Sequence, residues 1–415
     1  MDQSTIGDNV ARLRRAMPMT QEALAEAADL SVETIRKLEQ NKNTSARMST
    51  LHKLARALRV PTSRLLGNAA RAAAEGSPDV DGVGLIELRK ALTPARGLRG
   101  ARLAGPELEP PTLDDVRASV RSLDRAYHQD DYATTLAGLP LLIAEARTAV
   151  AESAGDDLTA ALELMAQTYQ LAGTALIQLR AFDLAHRALS DALDAAQASG
   201  NDLVGGSAIT TMCWLLLRQG RFGETEQLAV QTADALEPSF AKAAPAELTV
   251  WGWLLLRAAA AAVRDNRDDD ADAMLNGAAA AAVRIGDRVP ASQLSPGPAT
   301  IGHFDRTTVE WKRVESELIA GHPDRALALS RAVPDSGRPT SNNRNRHRLD
   351  VAAAHVQVGA YDEAQAVLMD LKDSAPSWLR HQRFARDIVG SIAAERKRAM
   401  SRDLAALASL VGTDL

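Results

Sequence analysis

Apolar residues recur every three or four positions along the first 67 residues, with polar residues between them. This spacing is typical of amphipathic helices. Thr20 and Ser31 stand directly before two of these stretches, where a hydroxyl oxygen caps a helix N-terminus. The pattern predicts five helices, at about 5–16, 20–28 and 32–40, then one capped by Ser49 and a short one that begins at Pro61. The predicted core contains Leu24, Ile35, Leu38 and Leu54.

Helical stretches alternate with short turns from residue 112 onward, and one sequence motif recurs at these turns. Each copy combines a turn, an anchoring side chain, a carboxylate and a small residue, and the anchors Phe182 and Phe222 are 40 residues apart. The copies lie at 179–185, 218–224, 320–326 and 358–364, with a more degenerate one at 264–271. The repetition predicts about six helical hairpins over 112–410, each of which must stack on the next to bury its apolar face.

The segment at 68–111 differs in composition from both flanking parts, because Ala, Gly and Pro are frequent in it. Such a segment does not sustain a packed core, although Leu85–Leu92 is predicted as a short helix within it. The sequence therefore predicts three parts. They are a helical domain at 1–67, a linker at 68–111 that is either a hinge or a passive tether, and a helical repeat domain at 112–415.

Composition and charge support this division. Hydrophobic residues make up 46% of the chain and aromatic residues only 3%, and β-branched runs of strand length are scarce, which favours an all-α fold. Residues 1–70 contain 11 Lys and Arg against 7 Asp and Glu, a net charge of +4, and the remainder contains 37 against 46, a net charge of −9. A basic head on an acidic body is typical of a small nucleic-acid-binding domain carried by another module.

Residues that would support catalysis or metal binding show no recognisable arrangement. The eight histidines lack ligand spacing, and the sequence has no HExxH, GxSxG, CxxC or phosphate-loop motif. Cys213 is the single cysteine, so an intrachain disulfide is excluded, and we expect a buried apolar residue there rather than a redox sensor. We therefore expect no enzyme, no metal site and no cofactor.

The expected location is the cytoplasm, without a membrane partner. The N-terminal residues lack the apolar region of a signal peptide. The apolar stretch Leu254–Val263 is interrupted by Arg257 and is too short to span a bilayer.

The first domain resembles the Cro/C1-type helix-turn-helix family, also called the xenobiotic-response-element (XRE) family. The positions that carry the resemblance are Thr20, Gln21, Glu22, Leu24, Ala25, Ala28, Ser31, Thr34, Ile35, Leu38, Glu39, Leu51, Leu54, Ala55, Ala57, Leu58 and Val60. Asp29 and Asn41 stand where the family usually has glycine, and both residue types tolerate the left-handed backbone of a turn. The resemblance implies a five-helix domain that binds double-stranded DNA.

The resemblance also implies which residues contact DNA. Those that would face the bases in the major groove are Val32, Glu33, Arg36 and Lys37. Those that would contact the phosphate backbone are Gln21, Thr34, Lys42, Asn43 and Arg47. The alternative for any one of them is a solvated position on a helical scaffold.

The second domain resembles tetratricopeptide-type (TPR) hairpin repeats, although its periods are longer and less regular than the ideal of about 34 residues. An XRE-type head followed by a TPR-like body resembles the peptide-sensing regulators of the PlcR and PrgX type and the Ala/Arg-rich regulators of actinobacteria. This implies a right-handed superhelix of hairpins whose concave face binds an effector. The candidate effector-binding residues are Gln170, Arg306, Glu310, Asn342, Asn345 and Arg348. The asparagines and arginines at 342–348 either clamp a peptide backbone or a carboxylate, or form a solvated helix start.

The expected function is a homodimeric DNA-binding transcriptional regulator that binds a near-palindromic operator and senses a peptide or a small molecule. Two alternatives remain open. One is a TPR-type adaptor that binds another protein, and the other is a constitutive repressor without a ligand.

Overall fold

The computed structural model describes residues 6–40, 48–60, 65, 84–95, 109–286, 289–299, 301–333, 341–395 and 401–413. Throughout these residues the regular structure is helical, and no strand occurs among them. The all-α fold predicted from the sequence is therefore confirmed.

The described residues contain twenty α-helices. They are α1 (Ile6–Ala16), α2 (Gln21–Ala28), α3 (Val32–Glu39), α4 (Met48–Ala57), α5 (Gly84–Leu92), α6 (Leu113–His128), α7 (Tyr132–Glu152), α8 (Gly155–Gln178), α9 (Phe182–Ser199), α10 (Asp202–Arg218), α11 (Phe222–Ala235), α12 (Pro245–Arg264), α13 (Asp268–Ile285), α14 (Arg306–Ile319), α15 (Pro323–Ala332), α16 (Ser341–Gln357), α17 (Tyr361–Ser374), α18 (Pro376–Arg380), α19 (Arg383–Glu395) and α20 (Arg402–Val411).

The first helices begin where their capping residues predict. The Thr20 hydroxyl accepts a hydrogen bond from the Ala23 N–H at 3.1 Å, and the Ser31 hydroxyl accepts one from the Thr34 N–H at 3.1 Å. Asp29 ends α2 in the left-handed conformation, at φ 51° and ψ 54°, as the turn requires. The bonds satisfy N–H groups that have no partner inside the helix.

The start of α4 differs from the prediction. The helix begins at Met48, so Ser49 lies in its first turn instead of capping it. Serine is tolerated there because the N–H groups of a first turn have no intrahelical partner. The short helix predicted from Pro61 lies outside the described residues, except Leu65, which is fully buried.

Six helical hairpins make up most of the second part of the chain. They are α6–α7, α8–α9, α10–α11, α12–α13, α14–α15 and α16–α17. The residue two positions before each second helix has a positive φ. These residues are Asp130 (59°), Arg180 (62°), Gly220 (77°), Asn266 (54°), Gly321 (85°) and Gly359 (76°).

One hydrogen-bond pattern accompanies five of these turns. The N–H of the residue after the positive-φ position donates to a carbonyl five residues earlier, as in Arg221 to Leu216 at 3.0 Å and Ala360 to His355 at 2.8 Å. This is the Schellman end of a helix, which satisfies carbonyls that the helix leaves without a donor. The repeated sequence motif thus marks a repeated helix C-terminus, which we call the helix stop.

A small side chain is buried at the fourth position of every second helix in these hairpins. The residues are Thr135, Ala185, Thr225, Ala271, Ala326 and Ala364, and each has 0% of its surface exposed. A small residue there lets the two helices of a hairpin approach closely. The predicted alanine contacts are therefore present, with threonine in two of the six.

Contacts divide the chain into two compact units. The first comprises 1–127, 131–176 and 183–201, and the second comprises 128–130, 177–182 and 202–415. In the first unit, α5 occupies the stretch where the sequence predicted a short helix, and it packs on α7 with Leu88 and Leu92 fully buried. The Arg147 guanidinium donates to the Ala91 carbonyl at 2.7 Å, at the C-terminal end of α5.

The second unit has α12 at its centre, in contact with α10, α11, α13 and α14. By length and composition, Pro245–Arg264 is the one helix in the described part of the chain that is apolar enough to cross a membrane, but two thirds of its most apolar window is buried in the protein. Gly252 gives the Phe304 ring room, since a Cβ at that position would lie 2.1 Å from the ring. The helix is therefore a core element of this unit.

Candidate functional site

Helix α3 presents a charged surface on the side opposite its core residues. Ile35 and Leu38 are buried, whereas the side chains of Glu33, Arg36 and Lys37 are 58%, 49% and 55% exposed. Arg36 Nη1 lies 3.5 Å and Lys37 Nζ 3.9 Å from the two carboxylate oxygens of Glu33. Exposed pairs of this kind contribute little to stability, so these groups can change partners at low cost.

A buried carboxylate fixes the angle between α1, α2 and α3. Arg14 Nε and Nη2 donate to Glu39 at 2.7 and 2.8 Å, and the Gln21 amide donates to Glu39 at 2.8 Å. Burial raises the pKa of Glu39, but the hydrogen bonds from Arg14 and Gln21 outweigh it and hold that pKa below its usual value. Glu39 is therefore ionised at neutral pH, and it holds α3 in position relative to α2. Glu39 belongs to the sequence motif, but the sequence alone gives no sign of this role.

Two predicted phosphate contacts have intramolecular partners in the structure. The Gln21 amide donates to Glu39, which leaves one of its N–H groups for a phosphate. The Thr34 hydroxyl lies 2.8 Å from the Ser31 hydroxyl at the N-terminus of α3. Val32, predicted to face the bases, is half-buried in the first turn of α3.

Lys53 of α4, which is not part of the motif, contacts the turn before α3. Lys53 Nζ lies 3.1 Å from the Asp29 carboxylate and 3.3 Å from the Asp29 carbonyl oxygen. The predicted contacts Lys42, Asn43 and Arg47 lie outside the described residues.

The predicted effector-binding residues are distributed over several helices. Gln170 is buried in α8 of the first unit. In the second unit, Arg306 is exposed, and Glu310 pairs with Arg313 at 3.6 Å. Arg348 pairs with Asp370 at 2.8 Å.

The two asparagines predicted to bind an effector both have protein partners. Asn342 accepts a hydrogen bond from the Gln178 amide at 2.7 Å. Asn345 is 5% exposed, and its amide donates to Asp130 at 3.4 Å. An effector that used these side chains would have to replace these partners.

Cys213 is fully buried in α10, as predicted. Burial raises the pKa of its thiol to about 12, so the reactive thiolate is scarce at neutral pH. The described residues contain no group of three or more His, Cys, Asp or Glu side chains that could hold a metal ion.

Comparison with known proteins agrees with the geometry of the head. The helix-turn-helix family model HTH_3 matches residues 10–65. No curated protein matches the chain.

Two solved structures are similar to the chain over most of its length. One is the apo form of the competence regulator ComR from Streptococcus vestibularis, at 13% identity, 84% coverage of this chain, 98% coverage of that chain and a TM-score of 0.29. The other is apo ComR from S. thermophilus, at 13% identity, 80% and 95% coverage and a TM-score of 0.23. These TM-scores are too low to transfer any position. Residues 10–65 of the chain are a helix-turn-helix domain of the XRE type.

Proposed function

We propose that the protein is a sequence-specific DNA-binding transcriptional regulator. The observation that supports this most directly is the exposed face of α3, where Glu33, Arg36 and Lys37 project from a helix whose other face is buried. A lysine or arginine that donates to guanine and a glutamate that accepts from cytosine are standard ways to distinguish base pairs in the major groove.

Hydrogen bonds hold α3 in a fixed orientation within the first domain, as such recognition requires. Base recognition requires that the helix in the groove keep its orientation, and the bonds from Arg14 and Gln21 to Glu39 hold α3 against α1 and α2. Gln21 and Thr34 act at the phosphate backbone in this proposal, together with Lys42, Asn43 and Arg47.

The regulator acts as a homodimer on a near-palindromic operator in this proposal. A single helix-turn-helix head reads only a few base pairs, and a twofold-symmetric pair of heads reads two related half-sites. The TPR-like body supplies the surface for dimerisation and for a peptide or small-molecule effector. Since DNA is its target, the proposed location is the cytoplasm.

Fluorescence anisotropy with DNA from the protein's own promoter region tests DNA binding, in a series of salt concentrations. We expect Lys37→Ala to weaken binding by about 1–3 kcal/mol, because one base contact is lost. Lys90→Ala is the matched control, since Lys90 is an exposed lysine of α5 that pairs with a glutamate of its own helix, Glu87.

A preference for promoter DNA that falls steeply with salt, and that only Lys37→Ala weakens, supports the regulator. Equal binding to random DNA by the wild type contradicts sequence-specific recognition and favours a protein-binding adaptor. Specific binding that no effector changes favours a constitutive repressor.

A further inference from the structure

A buried cluster of charged side chains joins α12, α14 and α16 within the second unit. At its centre is the Glu315 carboxylate, with a side chain that is 10% exposed. Arg264 Nη2 donates to one of its oxygens at 2.7 Å, and Lys312 Nζ donates to the other at 2.8 Å. Arg346 Nη2, on α16, lies 3.9 Å from the first oxygen, which is beyond hydrogen-bond distance.

Arg346 lies between two carboxylates. Its Nε donates to Asp350, on the same helix, at 3.0 Å, and the Asp350 side chain is only 2% exposed. Glu315 belongs instead to α14, the first helix of the preceding hairpin, which packs on α16. One guanidinium is thus shared between a partner on its own helix and a partner across the interface between two hairpins.

The two carboxylates differ in how readily they take up a proton. Burial raises the pKa of Glu315, but the charges of Lys312 and the two arginines outweigh it and hold that pKa well below its usual value. Burial raises the pKa of Asp350 to about 6, against the opposing effect of Arg346, and the charge of Glu315 adds to the increase. Asp350 is therefore the carboxylate that is protonated first as pH falls.

The neighbouring groups on α16 keep their charge states over the same pH range. Burial lowers the pKa of Arg346, but the charges of Asp350 and Glu315 outweigh it and raise that pKa, so the guanidinium stays charged. Burial and the charge of Lys312 lower the pKa of His347 to about 4, so its ring is neutral while Asp350 titrates.

The charged groups of α15 and α17 act on other parts of α16. Arg348 is two residues from both cluster members of α16, so it faces another side of the helix, where it pairs with Asp370 of α17 at 2.8 Å. Arg331 of α15 and Glu363 of α17 act on His355, nearer the C-terminal end of α16. The titration of Asp350 is thus governed by the cluster itself.

Protonation of Asp350 removes the charge that holds Arg346 on its own helix. A buried guanidinium without an anionic partner is unfavourable, and Glu315 is the ionised carboxylate of the cluster that remains. A carboxylate offers about four acceptor positions, and Arg264 and Lys312 each occupy one on Glu315. The Arg346 guanidinium lies 4.7 Å from the centre of the Phe384 ring of α19, and a shift across this ring face keeps the cation–π contact.

We propose that Asp350 and Arg346 form a proton-controlled link between the fifth and sixth hairpins. Arg346 bonds to Asp350 when that carboxylate is ionised, and it turns to Glu315 of α14 when Asp350 is protonated. Mild acid thereby strengthens the contact between α14 and α16. This link lies within the second unit, and it does not depend on the proposed DNA binding.

Crystal structures of the protein at about pH 7.5 and about pH 5 test the change of partner directly. We expect the separation of Arg346 Nη2 from Glu315 to shorten from 3.9 Å to about 2.8 Å at the lower pH, the distance of a charge-assisted hydrogen bond. Asp350→Asn, which resembles the protonated carboxyl, should show the short distance at both pH values. An Arg346 that stays on Asp350 at both pH values in the wild type overturns the proposal.

Urea unfolding of the wild type and of Asp350→Asn at about pH 7 and about pH 5 tests the proton uptake. The folding equilibrium constant of the wild type should rise about tenfold relative to that of the variant as pH falls, because Asp350 takes up a proton in this range only in the folded state. The contribution of His347 is common to both proteins and cancels in the comparison.

Asp370→Asn is the matched control, since Asp370 is an exposed aspartate that also pairs with an arginine. Equal pH dependence in the wild type and Asp350→Asn overturns the proposal, as does an equal effect of the control substitution. If Asp350→Asn fails to fold, the two wild-type crystal structures still decide, because they need no substitution.

Discussion

At the scale of single residues, Glu39 and Glu315 show how buried carboxylates remain ionised. Each accepts hydrogen bonds from an arginine, and a second donor, Gln21 or Lys312, completes its coordination. The first carboxylate orients α3 against α1 and α2, and the second joins α12 to α14 in the second unit. Removal of Arg14 would take away the cation that is hydrogen-bonded to Glu39, whereas Glu315 would keep two of its three neighbouring cations after the loss of any one.

His347 predicts a specific pH dependence of stability. Its ring stacks on Trp311 with centroids 5.2 Å apart, and its Nδ1 is buried with no hydrogen-bond partner. Its pKa of about 4, against the usual 6.5, means that the neutral form is favoured in the folded protein. The stability that it contributes is complete above pH 6.5 and is lost as pH falls towards 4, by up to about 3 kcal/mol.

Urea unfolding of the wild type and of His347→Gln, at several pH values between about 7.5 and 5, measures how much His347 contributes to the free energy of unfolding. We expect the variant to lose less stability than the wild type as pH falls. Asp350 has the opposite sign, since its raised pKa of about 6 gives stability that is lost as pH rises, so only the difference between the two proteins isolates His347. Parallel curves would contradict the assignment.

At the scale of elements, the repeated helix stop depends on a left-handed residue. Gly220 has a φ of 77° between α10 and α11, a conformation that costs other residues about 1–2 kcal/mol. We expect Gly220→Ala to lower the free energy of unfolding by about that amount, as measured by chemical denaturation.

Gly390 offers the matched control for this prediction. It lies inside α19, and a Cβ there would meet nothing within 4 Å. Gly390→Ala should therefore raise the free energy of unfolding by about 0.5–1 kcal/mol, because alanine favours a helix interior. Destabilisation by both substitutions to the same degree would show that the positive φ is not the cause.

The repeated turns also show how far the sequence determines the elements. Gly220, Gly321 and Gly359 are visible as helix stops in the sequence, because glycine adopts a positive φ without strain. Asp130 occupies the equivalent position in the first hairpin, but aspartate is common in many other settings, so this turn is not recognisable from the sequence. The helix caps Thr20 and Ser31 were predictable, because a hydroxyl residue directly before an amphipathic stretch is typical of a helix N-terminus.

At the scale of the whole molecule, the charged contacts among Arg264, Lys312, Glu315, Arg346 and Asp350 join distant parts of the sequence. Lys312 and Glu315 lie three residues apart in α14, and Arg346 and Asp350 lie four residues apart in α16. In the sequence, each pair resembles an ordinary ion pair on a helix surface. The approach of Arg264, 51 residues before Glu315, follows only from the packing of α12 on α14. The helix-turn-helix head was predictable because its motif is contiguous, and the charged cluster was not because its members are dispersed.

Selection of binding sites from a pool of random duplex DNA tests whether the protein recognises a DNA sequence through α3. We predict that the protein enriches a near-palindromic sequence with half-site centres about 34–36 Å apart. Lys37→Ala should enrich the same sequence with a relaxed preference at one position of each half-site. Enrichment of no sequence by the wild type, or an unchanged preference in the variant, would contradict DNA recognition through α3.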